Sequence, residues 1–115
     1  MRSLSIQVQP ERSPGLDMEQ LCKAFEEIAG RSDLVAHHSF DNGEDGTTYF
    51  NFTFGTTRAK LLWQTIRSHI YKSPEFGPHM SLASMAMCSS ETGWHAYLQL
   101  FHFDPSVRLD PDDGL

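Results

Sequence analysis

Hydrophobic and polar residues alternate with a period of two in three stretches of the chain, which predicts strands that each bury one face. The apolar positions of these stretches are Leu4, Ile6 and Val8; Phe50, Phe52 and Phe54; and Trp94, Ala96, Leu98 and Leu100. A slip of one residue would turn the three phenylalanines towards water, so the register of the middle strand should be firmly set.

Two further strands are predicted from weaker patterns. Residues 34–40 carry apolar side chains at alternate positions, and residues 81–88 form a short apolar run that fits a strand or a helix. We interpret 81–88 as a strand, because a turn at 89–93 would join it to the last strand as a hairpin. Residues 41–46 read DNGEDG and predict the turn of another hairpin.

Two helices are predicted from apolar residues at helical spacing. The first covers 18–29: Asp17 suits its N-cap, Gln20 stands three residues later as in a capping box, and Gly30 suits a left-handed C-cap. The second covers about 57–72. Its apolar stripe consists of Ala59, Leu62, Trp63, Ile66 and Ile70.

The predicted order of elements is β-α-β-β-α-β-β, which defines an α+β domain. We expect an antiparallel or mixed five-stranded sheet with both helices on one face, close to a ferredoxin-like arrangement with an extra strand. The domain should span residues 1–105, and the acidic segment 106–115 should be a frayed tail.

The formal net charge of −6 argues against general nucleic-acid binding, which requires an excess of lysine and arginine. The acidic residues are concentrated in the tail and in the predicted turn, where Asp41, Glu44 and Asp45 stand close together. Such a cluster is either a solvated surface or an attraction for a cationic partner.

The sequence predicts a cytoplasmic location and no membrane partner. Residues 1–10 alternate polar and apolar side chains, which is typical of a strand and not of a signal peptide. The two cysteines, Cys22 and Cys88, form no motif, so we interpret them as reduced thiols of the core.

The six histidines suggest one possible chemistry. The tetrapeptides HHSF at 37–40 and HMSL at 79–82 resemble the paired motifs of two-histidine phosphoesterases, in which two imidazoles act as acid and base. This resemblance makes a small phosphoesterase that uses His37 or His79 an alternative function. We otherwise predict no catalytic residues, no bound metal and no cofactor, because the histidine spacings do not match metal-ligand patterns.

The polar face of the predicted sheet is a candidate surface for binding a partner, because it combines aromatic, amide and imidazole groups. A homodimer interface or a solvated face are the other interpretations. Together with the acidic turn, the predicted partner-binding residues are Asp41, Glu44, Asp45, Tyr49, Asn51, His95, Tyr97 and Gln99.

The chain also resembles small bacterial immunity proteins, the cytosolic neutralisers of polymorphic or contact-dependent toxins. The resemblance rests on the segments TYFNFTF at 48–54, GWHAY at 93–97 and FHFDP at 101–105, and on the basic helix between the first two. It implies a protein-binding module that blocks a cognate toxin domain, and acidic side chains would suit a toxin with a basic cleft. A homodimeric structural or regulatory domain is the alternative.

Overall fold

The chain forms five strands and three helices in the computed structural model, which describes residues 1–91 and 93–115. The strands are β1 (Arg2–Val8), β2 (His37–Glu44), β3 (Thr48–Thr56), β4 (Ser84–Ser90) and β5 (Gly93–His102). The helices are α1 (Met18–Ala29), α2 (Ala59–Ile66), which a π-helical segment (Arg67–Tyr71) continues, and α3 (Gly77–Ala83). Short 3-10 turns lie at Pro10–Arg12 and Asp112–Gly114.

The five strands form one antiparallel sheet in the order β2-β3-β1-β4-β5. The first four strands have the order of a ferredoxin-like sheet, and β5 extends it as a hairpin with β4. The predicted α+β class, the five-stranded sheet and the ferredoxin-like arrangement are therefore confirmed. No helix in residues 1–91 and 93–115 has the length and apolar character that crossing a membrane requires.

One face of the sheet is buried beneath the helices. The register pairs Leu4 with Phe54 and Ile6 with Phe52, so the apolar residues of β1 and β3 project from the same face. Phe25 of α1 stacks on Phe52 with ring centroids 4.2 Å apart. These aliphatic and aromatic side chains exclude water from the face, as the alternation predicts.

Of the two predicted caps of α1, the N-cap is correct and the C-cap is not. Asp17 accepts a hydrogen bond from the backbone N–H of Gln20 at 3.1 Å, which confirms the N-cap. The left-handed C-cap is wrong: Gly30 has φ −74° and continues the right-handed turn, with its N–H donating to the carbonyl of Glu26.

The segment 81–88 is not a strand throughout, and a third helix replaces its first part. α3 begins at Gly77, with Pro78 in its first turn where a missing N–H costs nothing, and ends at Ala83. β4 begins only at Ser84. Within the helical part of the segment Ala83 is buried whereas Leu82 is 58% exposed, so only one side of this short helix faces the core.

The second strand lies further along the chain than predicted. β2 begins at His37, after Leu34 and Val35 have been buried in the preceding turn, and it continues to Glu44. Asp41 is therefore a strand residue, and the reversal itself needs only 45–47. Gly46 takes the left-handed conformation there, with φ +73°.

Strict alternation from Trp94 to Leu100 would place Phe101 on the polar face, but an irregularity in β5 reverses this side. Gln99 pairs with Met87, and Phe101 pairs with Ala86, which is adjacent to Met87 on β4. Leu100 has no counterpart between them and is therefore the extra residue of a bulge. The ring of Phe101 therefore points into the core, where it packs edge-on against Tyr71 with centroids 5.1 Å apart.

The acidic segment after β5, predicted to be a tail, forms hydrogen bonds and an ion pair with the rest of the domain. The N–H of Asp110 donates to the carbonyl of Gln99, and its carboxylate accepts the Gln99 N–H, both at 2.8 Å. Asp112 pairs with Arg67 at 3.6 Å. The segment thus covers part of the outer edge of β5.

Both cysteines are free thiols. Cys88 is buried on β4 and Cys22 lies half-buried on α1. Burial raises the pKa of each thiol above its ordinary value, which keeps both in the unreactive protonated form.

Candidate functional site

A chain of side-chain hydrogen bonds crosses the open face of the sheet. Asn51 on β3 donates to Asp41 on β2 at 3.2 Å and accepts from Gln7 on β1 at 3.2 Å. Gln7 accepts from Gln9 at 3.1 Å, and Gln9 accepts from the Nε of Arg12 at 2.7 Å. The guanidinium at one end and the carboxylate at the other are held in place by these amides.

Two rings cover glycines on neighbouring strands of this face. Gly43 pairs with Tyr49, and Gly55 pairs with His37. A Cβ on Gly43 would lie 2.6 Å from the hydroxyl oxygen of Tyr49, and a Cβ on Gly55 would collide with the imidazole of His37. The missing side chains therefore leave room for both rings to lie against the sheet.

The tip of the β2–β3 hairpin is held by hydrogen bonds on both strands. Glu44 accepts from the hydroxyl of Thr48 at 3.1 Å, and the Asp45 N–H donates to the carbonyl of Thr47 at 3.0 Å. Glu11, in the 3-10 turn after β1, accepts from the Thr48 N–H at 2.9 Å. The hairpin is thus fastened to the rest of the domain at the first residue of β3.

The bond between Glu11 and Thr48 predicts an acid dependence of stability. The Thr48 N–H lowers the pKa of the Glu11 carboxyl from its ordinary value. A pKa that is lower in the folded state contributes stability above the unfolded pKa, and this contribution is lost as pH falls through the folded pKa. Glu11→Gln should therefore flatten the acid limb of the stability curve, measured by urea unfolding from neutral to acid pH. An unchanged pH dependence would show that the bond does not hold in solution.

The hairpin carries an acidic charge that nothing nearby compensates. Residues 32–57 contain four carboxylates and no lysine or arginine. One of the four, Asp33, pairs with Arg31 at 3.4 Å. In the described part of the chain, no lysine or arginine nitrogen lies within 4.0 Å of the carboxylates of Asp41, Glu44 or Asp45. All three residues are exposed, so their field extends into solvent.

The structure divides the predicted partner-binding residues between two opposite edges of the sheet. Asp41, Glu44, Asp45, Tyr49 and Asn51 lie together on the β2–β3 hairpin. The remaining three lie on β5, which is four strand spacings, or roughly 19 Å, from β2 and three spacings from β3.

The three residues on β5 have different surroundings. His95 is exposed and Tyr97 is 49% exposed. Trp94, which the alternation predicts to lie on the buried face, is 45% exposed. Gln99 donates to the carbonyls of Ala86 and Phe101, at 3.2 Å and 2.7 Å. Its amide therefore holds the bulge in place, and it belongs to the architecture of β5.

The hydrogen-bonded chain formed by Gln7, Gln9 and Arg12 was not predicted from the sequence. The polar positions of β1 gave a signal for it, because every residue that alternates with the buried ones must lie on the open face. The guanidinium of Arg12 also lies over the ring of Phe103, 3.8 Å from its centroid. These contacts connect the hairpin side of the open face with the end of β5.

The two histidine motifs occupy different kinds of element. His37 lies on β2 against Gly55, whereas His79 lies on α3 and not on the strand that the paired motif requires. The Nδ1 of His79 forms a hydrogen bond of 2.6 Å with the hydroxyl of Ser13. Ser13 is only 5% exposed, so this hydrogen bond joins α3 to the turn after β1 within the packed interior.

Two clefts lie on the helical side of the domain. The first, about 420 Å³, separates α1 from the π-helical segment and is lined by residues that include Lys23, Arg31, Glu27 and Glu75. The second, about 430 Å³, lies beneath the C-terminal segment, and Arg67 and Asp112 pair at its rim. Positively and negatively charged side chains line both clefts, so neither cleft presents an electrostatic field of one sign to an ionic ligand.

Comparison with protein-family models, with curated proteins and with solved structures finds no match to this chain. The fold and the hairpin therefore define the protein only as a ferredoxin-like α+β domain with an extended sheet and an acidic edge.

Proposed function

We propose that the chain is a protein-binding module that recognises a cationic surface through its β2–β3 hairpin. Its biological role is that of a cytoplasmic immunity protein, which binds a cognate bacterial toxin domain and blocks it. The observation that carries the proposal is the exposed, uncompensated group of carboxylates at Asp41, Glu44 and Asp45 on a hairpin held by hydrogen bonds.

Two properties of the hairpin support this role. The bonds of Glu44 and Glu11 to Thr48 fix its tip, so a partner that binds there orders few additional residues. An acidic patch accelerates encounter with a basic cleft, and a toxin that acts on nucleic acid would possess such a cleft. The negative net charge agrees with this choice of partner.

Capture and co-expression test the proposal. The tagged chain is used to capture proteins from a lysate of its source organism, and mass spectrometry identifies them. A captured protein should be toxic when expressed alone and harmless when expressed with the chain. A partner that is not toxic, or whose toxicity co-expression leaves unchanged, would contradict the immunity role.

The variant Asp41→Asn/Glu44→Gln/Asp45→Asn should bind the same partner more slowly. Removing three exposed charges should lower the association rate at low salt by about tenfold and reduce its salt dependence, because long-range attraction is lost. Stability should change by less than about 0.5 kcal/mol, since exposed substitutions rarely cost more. Surface plasmon resonance at several salt concentrations and a thermal melt measure both quantities.

The matched control removes three carboxylates from another surface. Glu19→Gln/Glu26→Gln/Glu27→Gln changes the net charge equally but acts on the exposed side of α1. Its association rate should stay close to that of the unmodified chain. Equal slowing by the two variants would show that only the net charge matters and that the hairpin is not the contact.

A further inference from the structure

The outer edge of β2 is an unpaired strand. β2 is the first strand in the sheet order, and within residues 1–91 and 93–115 it pairs only with β3. Six of its eight residues are exposed. The outward N–H and C=O groups of such an edge are free to form a ladder with another chain.

The other edge of the sheet is protected. Asp110 bonds to both backbone groups of Gln99, which places the C-terminal segment along the outside of β5. Bulges also interrupt the pairing of β5 with β4. These are two of the devices by which proteins prevent strand addition.

β2 lacks the corresponding protection. Its register with β3 continues without interruption from His37 to Glu44, and the strand contains no proline and no lysine. A regular eight-residue edge is long enough to support a full additional strand. Within residues 1–91 and 93–115, a covering segment and a bulge are therefore present at one edge of the sheet and absent at the other, where the exposed carboxylates are the only barrier to pairing.

The charge of β2 determines what kind of strand fits its edge. Two copies of this chain paired through β2 would place side by side two strands that each carry Asp41 and Glu44 and no lysine or arginine, and like charges on paired strands are destabilising. A strand that carries lysine or arginine would instead face carboxylates that have no other cationic partner. We infer that β2 accepts an extended, lysine- or arginine-containing segment of the partner protein, which becomes a sixth strand of the sheet.

This inference rests on the proposed function and specifies how the partner is held. The carboxylates accelerate the encounter, and the ladder of backbone hydrogen bonds gives the complex its register and lifetime. The partner segment must be extended and free of proline along the stretch that pairs with His37–Glu44.

A pair of model peptides tests strand addition on the full chain. The first alternates lysine and threonine and is as long as β2, with both ends blocked; the second alternates lysine and proline and has the same charge. The first should bind about tenfold more tightly, because proline removes the donors that a ladder needs. Binding is measured by NMR titration of the isotope-labelled chain, and backbone amide exchange locates it.

The location and charge dependence of binding provide the decisive comparisons. The lysine–threonine peptide should slow amide exchange in residues 37–44 and not in residues 93–102. Its affinity should fall in the variant Asp41→Asn/Glu44→Gln/Asp45→Asn and persist in the α1 control variant that lacks three glutamates.

Four results would overturn the inference. They are equal affinity for the two peptides, no binding of the lysine–threonine peptide, protection on β5 instead of β2, and self-association of the chain through β2. Equal affinity would leave recognition of a cationic surface intact, because it shows attraction without a ladder. Capture and co-expression judge the immunity role separately, since they require neither peptide.

Discussion

Trp63→Ala is expected to lower the free energy of unfolding by about 3–5 kcal/mol, the range for truncating a buried aromatic residue. Trp63 is only 3% exposed, and its ring meets that of Tyr71 edge-on with centroids 5.4 Å apart. Alanine would remove the transfer free energy of the ring and leave a cavity between α2 and the sheet. Urea unfolding followed by circular dichroism measures the loss.

Lys60→Ala is the control for this prediction. Lys60 lies on the same helix three residues before Trp63, but its side chain is exposed. Its replacement should change stability by less than about 0.5 kcal/mol. Equal unfolding midpoints for the two variants would mean that the buried stripe of α2 does not lie where the structure places it.

The sequence predicted the centre of the fold because burial leaves a periodic signal there. The alternation of apolar residues identified β1 and β3 and the face that each of them buries. Helical spacing identified α1 and α2, and the side chain of Asp17 marked the start of α1 correctly.

The errors occurred where a local pattern fits two structures. α3 has only seven residues. An apolar run this short fits a helix as well as a strand. The bulge at Leu100 adds one residue to β5 without changing the composition of the strand. A period-two pattern cannot show where such a residue is inserted, so Phe101 was assigned to the wrong face.

The sequence predicted the part of the candidate site that consists of residues close to one another along the chain. Asp41, Glu44, Asp45, Tyr49 and Asn51 lie on consecutive strands of one hairpin, so chain connectivity alone brings them together. The separation of His95 and Tyr97 from that group depends on the order of the strands. Strand order is a property of long-range pairing, which the pattern within single strands does not contain.

The packing of α3 depends on a glycine that nothing in the hydrophobic pattern indicates. Gly77 is buried, and its N–H donates to the carbonyl of Ser73 at 2.8 Å. A Cβ at this position would lie 2.6 Å from the backbone carbonyl oxygen of Tyr71, at the end of the π-helical segment. A carbonyl cannot rotate away as a side chain can, so a methyl group here would push α3 away from that segment.

Gly77→Ala should therefore destabilise the domain by about 1–3 kcal/mol, the usual cost of overpacking. The reduced backbone entropy of the unfolded chain acts in the opposite direction by about 0.4–1 kcal/mol, so the sign of the measured change decides whether the contact is rigid. Gly43→Ala is the matched control, because its Cβ would lie equally close, at 2.6 Å, to the hydroxyl oxygen of Tyr49. That oxygen is the end of a side chain that can move, so this variant should stay within about 0.5 kcal/mol of the unmodified chain. Urea unfolding of both variants gives the comparison, and a Gly77→Ala variant as stable as Gly43→Ala would contradict the close approach of α3 to Tyr71.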